Sequence, residues 1–193
     1  MMEQEKEEII NKIEGIKADY YTANTKNMFF KNSQKLQVAQ HISNQINVEL
    51  LLDKTVYSIN GSPNIYLDYT IFKLYANETN YDMIITYICG LVERVIATHG
   101  YFSFYTNFDG FTITAAERYR PCVELFVNNY YTASVIKYTD YMQSWTLLNP
   151  PSIMDIIMKL FKKIIDERVA QRLIVVPKNQ SAEVIRQLHS SVM

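Results

Sequence analysis

The sequence has few of the residues that make covalent cross-links, chain breaks or strongly charged surfaces. Its 193 residues include only two cysteines, five glycines and five prolines. Two cysteines cannot form a disulfide framework, which favours a reducing compartment. Nineteen basic and twenty acidic side chains give a net charge of −1, so we expect no nucleic-acid partner. No apolar run approaches the roughly 20 residues that span a bilayer.

The N-terminal segment and the composition suggest where the protein works. The opening residues MMEQEKEEII are acidic and lack the basic-then-apolar order of a secretion signal. We therefore expect a cytoplasmic protein, with peripheral association at membranes. The length suits one domain of moderate size. Tyr, Ile, Asn and Lys are abundant, a bias that accompanies AT-rich genomes such as those of large DNA viruses and some protists.

The motifs of common catalytic and metal-binding sites are absent. Neither GxxxxGK[ST], GxGxxG, GxSxG nor HExxH occurs. Cys89 and Cys122 lie in separate predicted helices, and we interpret them as small core residues. The histidines are equally scattered along the chain: His41, His99 and His189. We therefore expect neither a metal nor a cofactor.

Asp109 is the one acidic residue at a position that enzymes often use. It stands beside Gly110 after a predicted strand, and α/β proteins place catalytic groups at the carboxyl ends of strands. The alternative is a turn aspartate that caps the next helix. Because nothing else points to catalysis, we expect no enzyme activity.

Hydrophobic periodicity divides the chain into a helical N-terminal part and a part in which strands and helices alternate. We predict an N-terminal helical extension over 1–53 and one domain over 54–193. The alternation predicts an α/β fold with a mainly parallel sheet and flanking helices. Helices are predicted at 2–19, 36–52, 81–99, 112–129, 153–165 and 181–188, and strands at 56–59, 65–74, 101–108, 141–148 and 173–176.

Several residues mark the predicted ends of these helices. Gly100 is a C-terminal stop, because glycine tolerates the left-handed conformation that ends many helices. Thr112 or Thr114 is the expected N-cap of the helix after Gly110, and Ser152 that of the helix 153–165. Pro121 predicts a kink or a restart.

Four segments of the alternating part occur in an order that points to a known family. They are Gly61-Ser62-Pro63 before a strand, an aromatic strand closed by Asp109-Gly110, a strand ended by Asn149-Pro150-Pro151, and the helix 153–165 before the last strand.

Together these segments resemble the CRAL-TRIO family, which includes phosphatidylinositol-transfer, retinaldehyde-binding and tocopherol-transfer proteins. The resemblance spans about residues 55–190. It implies a lipid cavity on one face of the sheet, with the helix 153–165 as a movable gate. The chain departs from the family at Ser62, where an arginine is usual, and over 128–135, which lacks a Tyr-Pro-Glu segment.

Alternation along the strand at 101–107 gives two candidate cavity faces. One face carries Tyr101, Ser103 and Tyr105, and the opposite face carries phenylalanines and a threonine. We assign the Tyr/Ser face to the cavity, because a few polar groups among apolar ones are typical of a ligand pocket. The reverse assignment remains an alternative. The predicted ligand-binding residues are Tyr101, Ser103, Tyr105, Trp145, Leu147, Met154, Ile157, Met158 and Phe161.

The predicted helix 153–165 is apolar around most of its circumference, so it must contact apolar matter on two sides. Three alternatives satisfy this: a lipid gate, a helix between two core layers, and a protein interface. A cluster of cations near its end predicts contact with anionic headgroups, although cations also complement a helix C-terminus. The predicted headgroup or membrane contacts are Lys159, Lys162, Lys163, Arg168 and Arg172.

The function expected from the resemblance is non-catalytic binding of a hydrophobic lipid ligand such as a phospholipid. Transfer between membranes would follow from transient contact with a membrane surface. The alternative is a protein-interaction or scaffold module, of a large DNA virus for example, whose partner is a protein. In that case aromatic side chains would fill the cavity.

Overall fold

The computed structural model describes residues 2–27, 29–131 and 137–190. Within these residues it has ten α-helices and five strands. The helices are α1 (Met2–Ala23), α2 (Lys31–Ser43), α3 (Val48–Thr55), α4 (Tyr69–Tyr75), α5 (Tyr81–His99), α6 (Ile113–Leu125), α7 (Tyr138–Tyr141), α8 (Met154–Phe161), α9 (Glu167–Gln171) and α10 (Lys178–Ser190). The strands are β1 (Val56–Ser58), β2 (Asn64–Asp68), β3 (Phe102–Asn107), β4 (Met142–Leu148) and β5 (Leu173–Val175).

The strands form one sheet in the order β1-β2-β3-β4-β5. β1 and β2 make an antiparallel hairpin, and every later neighbour is parallel. The predicted α/β fold with a mainly parallel sheet is confirmed. Each parallel connection steps one strand in the same direction, and such crossovers are right-handed. The helices between β2 and β5 therefore lie on one face of the sheet.

The opposite face of the sheet is covered by α10. Val184, Ile185 and Leu188 of this helix pack in a cluster with Tyr66 of β2 and Leu148 of β4. The sheet thus has helices on both faces. Within the described ranges, the helices of three crossovers cover one face, and α10 covers the other.

The main hydrophobic core joins the N-terminal helices to the sheet. Ile13 of α1 and Ile42 of α2 are buried in the same cluster as Ile65 of β2 and Ile84 of α5. α3 crosses the boundary that we placed between residues 53 and 54. The division into an extension and a domain stays a prediction.

Two predicted elements near the start of the sheet are wrong. The strand expected over 65–74 ends at Asp68, whose carboxylate accepts a hydrogen bond from the backbone N–H of Thr70 at 2.9 Å and so begins α4. The helix expected over 36–52 is two helices, because the Asn47 side chain accepts from the N–H of Glu49 and starts α3. In both places a side-chain cap overrides the periodicity of the apolar residues.

The expectations about other helix ends are confirmed in part. Gly100 ends α5 with φ of +79°, a value that glycine adopts without strain. Thr112 caps α6 by accepting from the N–H of Ala115 at 3.2 Å. Pro121, where a kink or a restart was expected, lies inside α6, and the helix continues without a restart to Leu125 before a π-helical segment. Ser152 does not cap α8, whose N-cap is Ile153 with no side-chain hydrogen bond.

A polar network at the carboxyl edge of the sheet joins α1, β2, β3 and the segment after β4. Asp68 is 3% exposed, and its carboxylate accepts from Lys6 Nζ at 2.8 Å and from Asn107 Nδ2 at 3.3 Å. Thr70 donates to the same carboxylate through its N–H and its hydroxyl. Asn107 in turn accepts from Asn149 Nδ2 at 2.9 Å. The donors of Lys6, Thr70 and Asn107 all lose a partner if the carboxylate is removed.

We expect Asp68→Ala to lower the free energy of unfolding by about 2–4 kcal/mol, because it leaves buried donors and the Lys6 ammonium unpaired. Urea unfolding followed by circular dichroism measures the change. Asp109→Ala is the control, since Asp109 is exposed and its 3.4 Å pair with Lys178 is a surface ion pair worth less than about 1 kcal/mol. Equal losses in the two variants would contradict the role given to Asp68.

Candidate functional site

A cavity of about 350 Å³ lies between the sheet and the crossover helices. Its size falls within the range of small-molecule sites. Its floor is formed by β3 and β4, and its walls by α5, α6, α8 and the loop before α6. The wall residues are almost all apolar and include Ile84, Ile88, Cys89 and Val92 of α5, Ala116, Tyr119, Cys122 and Val123 of α6, Met154, Ile157, Met158 and Phe161 of α8, and Phe108 and Phe111.

The cavity floor uses the phenylalanine face of β3. Phe102, Phe104 and Thr106 line the cavity, together with Trp145 and Leu147 of β4. Parallel pairing puts Phe104 beside Trp145, and Thr106 beside Leu147, so the two strands present one continuous surface. The predicted roles of Trp145 and Leu147 as cavity residues match this position.

The prediction that Tyr101, Ser103 and Tyr105 line the cavity is wrong, and the alternative assignment holds. Tyr105 packs in the cluster beneath α10, on the opposite face of the sheet. Ser103 alternates with it on the same face, and Tyr101 precedes β3. The physical reason is the handedness of the crossovers, which places the cavity-forming helices over the phenylalanine face.

The floor offers a ligand almost no free polar group. The hydroxyl of Thr106 accepts a hydrogen bond from Trp145 Nε1 at 2.9 Å, so its polar atom is engaged within the protein. Asp166 lies at the edge of the cavity, where its carboxylate bonds to the N–H and the guanidinium of Arg168. The arrangement suits an apolar chain that needs no hydrogen-bond partner in the interior.

α8 separates the cavity from solvent. Met154, Ile157 and Phe161 are buried against the cavity, whereas Ile156 and Leu160 on the opposite side are exposed. The apolar contact expected on the second side of this helix stays a prediction. The predicted cavity residue Met158 is half-buried and also lines the cavity.

The segment before α8 is fixed to the sheet through Asn149. This residue has φ of +49°, a conformation that asparagine tolerates better than most residues. Its side chain donates to Asn107 Oδ1, and its N–H donates to Ser181 Oγ at 2.8 Å. α8 therefore begins from a fixed point, with Pro150 and Pro151 between that point and the helix.

Comparison with protein families shows what this fold and cavity belong to. Residues 55–192 match the model of the CRAL/TRIO domain, which covers more than half of the chain. The chain belongs to the CRAL/TRIO family. Domains of this family bind or transfer lipophilic ligands and are generally not catalytic. Comparison with curated proteins found no match.

The cations of this CRAL/TRIO domain that we expected at a headgroup divide into two groups. Lys159, Lys162 and Lys163 are exposed on or just after α8. Arg168 forms ion pairs with Asp140 and Asp166, and stays exposed. Contact of these four cations with an anionic surface stays a prediction.

Arg172 has hydrogen-bond partners inside the domain. Its guanidinium is half-buried and donates to the backbone carbonyls of Thr139 and Met142, the latter at 2.6 Å. Arg172 thus ties α7 and the start of β4 to the end of α9. Both hydrogen bonds use the same nitrogen, Nη1, and the headgroup contact of Arg172 stays a prediction.

Sequence reasoning missed the cavity residues on α5 and α6. Ile84, Ile88 and Val92 lie on one stripe of α5, and periodicity alone cannot distinguish a core face from a cavity wall. Cys89 and Cys122 are buried as expected, but both also line the cavity. Burial raises the pKa of both thiols, that of Cys122 to about 12.

Other kinds of site find no support in the described ranges. No group of three or more acidic, histidine or cysteine side chains there is arranged to hold a metal ion. Among the helices of the same ranges, none is long and apolar enough to cross a membrane. Asp109 pairs with Lys178 at the surface and does not line the cavity.

We expect the CRAL/TRIO domain to lose stability as the pH rises above about 9. The folded state holds the Cys122 proton up to a pKa of about 12, whereas the ordinary value is 9.0. The unfolded chain therefore releases this proton first, and deprotonation favours unfolding. Urea unfolding at about pH 7 and at about pH 9.5 measures the fall in stability. The upper pH lies below the ordinary pKa of tyrosine, so most tyrosines keep their protons. Cys122→Ala should show a smaller fall, and equal falls would contradict the assignment.

Proposed function

We propose that the protein binds a hydrophobic ligand, a phospholipid or an isoprenoid-like molecule, in the cavity beneath α8. The observation that carries the proposal is an open apolar volume of about 350 Å³ in a domain whose family binds lipophilic molecules. A scaffold with a cavity filled by aromatic side chains would leave no such volume. Each methylene that moves from water into the cavity contributes about 0.8 kcal/mol.

Exchange of the ligand takes place at a membrane through movement of α8. The helix is the wall between the cavity and the outside, and its outer side carries Ile156 and Leu160. Lys159, Lys162 and Lys163 stand beside these apolar residues. Near an anionic surface each cation adds about 1 kcal/mol of attraction. Contact with a membrane therefore stabilises a displaced α8, which is a shift between two populations of the domain.

Ile157→Asp should abolish ligand loading, and Ile156→Asp should leave it intact. The two isoleucines are neighbours on α8, but Ile157 is 2% exposed and lines the cavity, whereas Ile156 is 50% exposed. A carboxylate at position 157 would have to be desolvated in an apolar cavity. The measurement is native mass spectrometry after incubation with vesicles of phosphatidylcholine and phosphatidylinositol, followed by denaturation to release the ligand.

A second variant protects this test from a failure to fold. Val123→Phe adds apolar volume at the α6 wall without adding charge, so loading should fall while circular dichroism stays unchanged. Equal loading of both aspartate variants would show that the ligand sits elsewhere. A wild-type protein that stays folded and empty with every lipid tried would support the scaffold alternative.

The outer side of α8 should control the rate of exchange and leave the equilibrium loading unchanged. Ile156→Ser/Leu160→Ser removes apolar groups that face away from the cavity. We expect transfer of a fluorescent phosphatidylcholine between vesicles to slow by about tenfold, because the displaced helix loses its contact with the bilayer. Stopped-flow dequenching measures the rate. Unchanged transfer, or a loss of loading that matches the loss of rate, would contradict this role.

A further inference from the structure

The connection between α1 and α2 exposes two adjacent aromatic rings. Phe29 is 93% exposed and Phe30 is 70% exposed, the largest values among large apolar side chains in the described residues. We call this pair the aromatic tip. Single exposed apolar residues are common, but two neighbouring rings in solvent point to an interaction surface. The aromatic tip lies outside the cavity and contributes nothing to its lining.

Hydrogen bonds hold the aromatic tip in place. The Asn27 side chain accepts from the N–H groups of Phe29 and Phe30 at 2.9 and 2.8 Å. The N–H of Asn27 donates to Gln34 Oε1 at 2.7 Å, and Gln34 Nε2 donates back to the carbonyl of Thr25 at 2.9 Å. The exposure of the rings is therefore set by a bonded turn, and presenting them requires no further ordering of the chain.

Cations follow the aromatic tip along α2. Lys31 follows it directly, and Lys35 lies one turn further along α2. Partial burial and then the charges of Arg118, Lys73 and Lys31 lower the pKa of Lys35, which indicates that these cations lie close together. Among the described residues, no carboxylate pairs with Lys26, Lys31 or Lys35.

An anionic bilayer fits this combination better than a protein groove does. A ring that is 93% exposed has no protein wall beside it, so nearly all of the surface that covers it must come from the partner. The acyl and headgroup boundary of a bilayer surrounds an inserted ring, and aromatic side chains favour that depth. Lys31 and Lys35 would then lie at the level of the anionic headgroups.

We propose that the aromatic tip inserts into the interface of an anionic membrane and forms a second membrane contact, separate from α8. The tip lies between the N-terminal helices α1 and α2, and the hydrogen bonds that hold it do not involve α8. It therefore holds the protein on the bilayer whether or not α8 moves. The contact does not require a ligand in the cavity.

The experiment is co-sedimentation of the full chain with vesicles of phosphatidylcholine alone, or with about 30% phosphatidylserine. We expect binding to the anionic vesicles, and about tenfold weaker binding for Phe29→Ser/Phe30→Ser, because two apolar anchors are removed. Leu50→Ser/Met83→Ser is the matched control, since it removes two exposed apolar side chains elsewhere and should bind like wild type. Lys31→Glu/Lys35→Glu should weaken binding to the anionic vesicles and leave binding to the phosphatidylcholine vesicles unchanged.

Three results would overturn the inference: no vesicle binding by wild type, equal binding by the tip variant and its control, or self-association that needs Phe29 without vesicle binding. The last result would assign the tip to a protein interface.

Ligand loading, measured in parallel, separates this inference from the proposed function. Tip variants should load as wild type does, and Ile157→Asp should sediment as wild type does. Failure of sedimentation with normal loading overturns the membrane contact of the tip alone.

Discussion

The handedness of parallel β-crossovers is the constraint on which the rest of this structure depends. Three successive connections, each stepping one strand further, must all pass over the same face of the sheet. That face therefore receives α5, α6 and α8, while α10 covers the other. The face under the crossovers carries Phe102, Phe104 and Leu147, so its side chains and the helices above them enclose an apolar volume.

The carboxyl edge of the sheet supplies the fixed end for α8. Asp68, Asn107 and Asn149 form a chain of hydrogen bonds from β2 across β3 to the segment before the helix. Ser181 holds the backbone of Asn149 from the opposite side of the sheet. If α8 moves as we propose, the movement starts beyond this anchor, and the sheet and its core keep their packing. The hydrogen bonds at Asn149 thus fix the start of this wall, and α8 beyond them is the part that can move.

The sequence predicted the architecture well, because alternating patterns of apolar residues and the turns between them record the order of helices and strands. The bounds of α5 agree with the pattern completely, since Gly100 marks the end without ambiguity. Errors arose where one side chain outweighs the pattern, as Asp68 does when it ends β2 and begins α4. The spacing of apolar residues carries no information about such a cap.

The cavity was predictable only in part. The inner residues of α8 were identified, because a helix that is apolar all round must have two contacts. The face of β3 was misassigned, since alternation defines two faces and the choice depends on long-range topology. The hydrogen bonds of Arg172 were not predictable for a similar reason: its partners are two backbone carbonyls about thirty positions away in the sequence. The walls on α5 and α6 resemble any packed core in sequence.

The position of Trp145 gives the protein an internal optical probe. It is the single tryptophan of the chain, and its indole forms part of the cavity floor with its N–H bonded to Thr106. Emission from this one ring therefore depends on what lies above it, water or hydrocarbon. The fifteen tyrosines absorb at shorter wavelength and can pass their excitation to the indole. Occupancy of the cavity can thus be followed by intrinsic fluorescence, with no label attached to the chain.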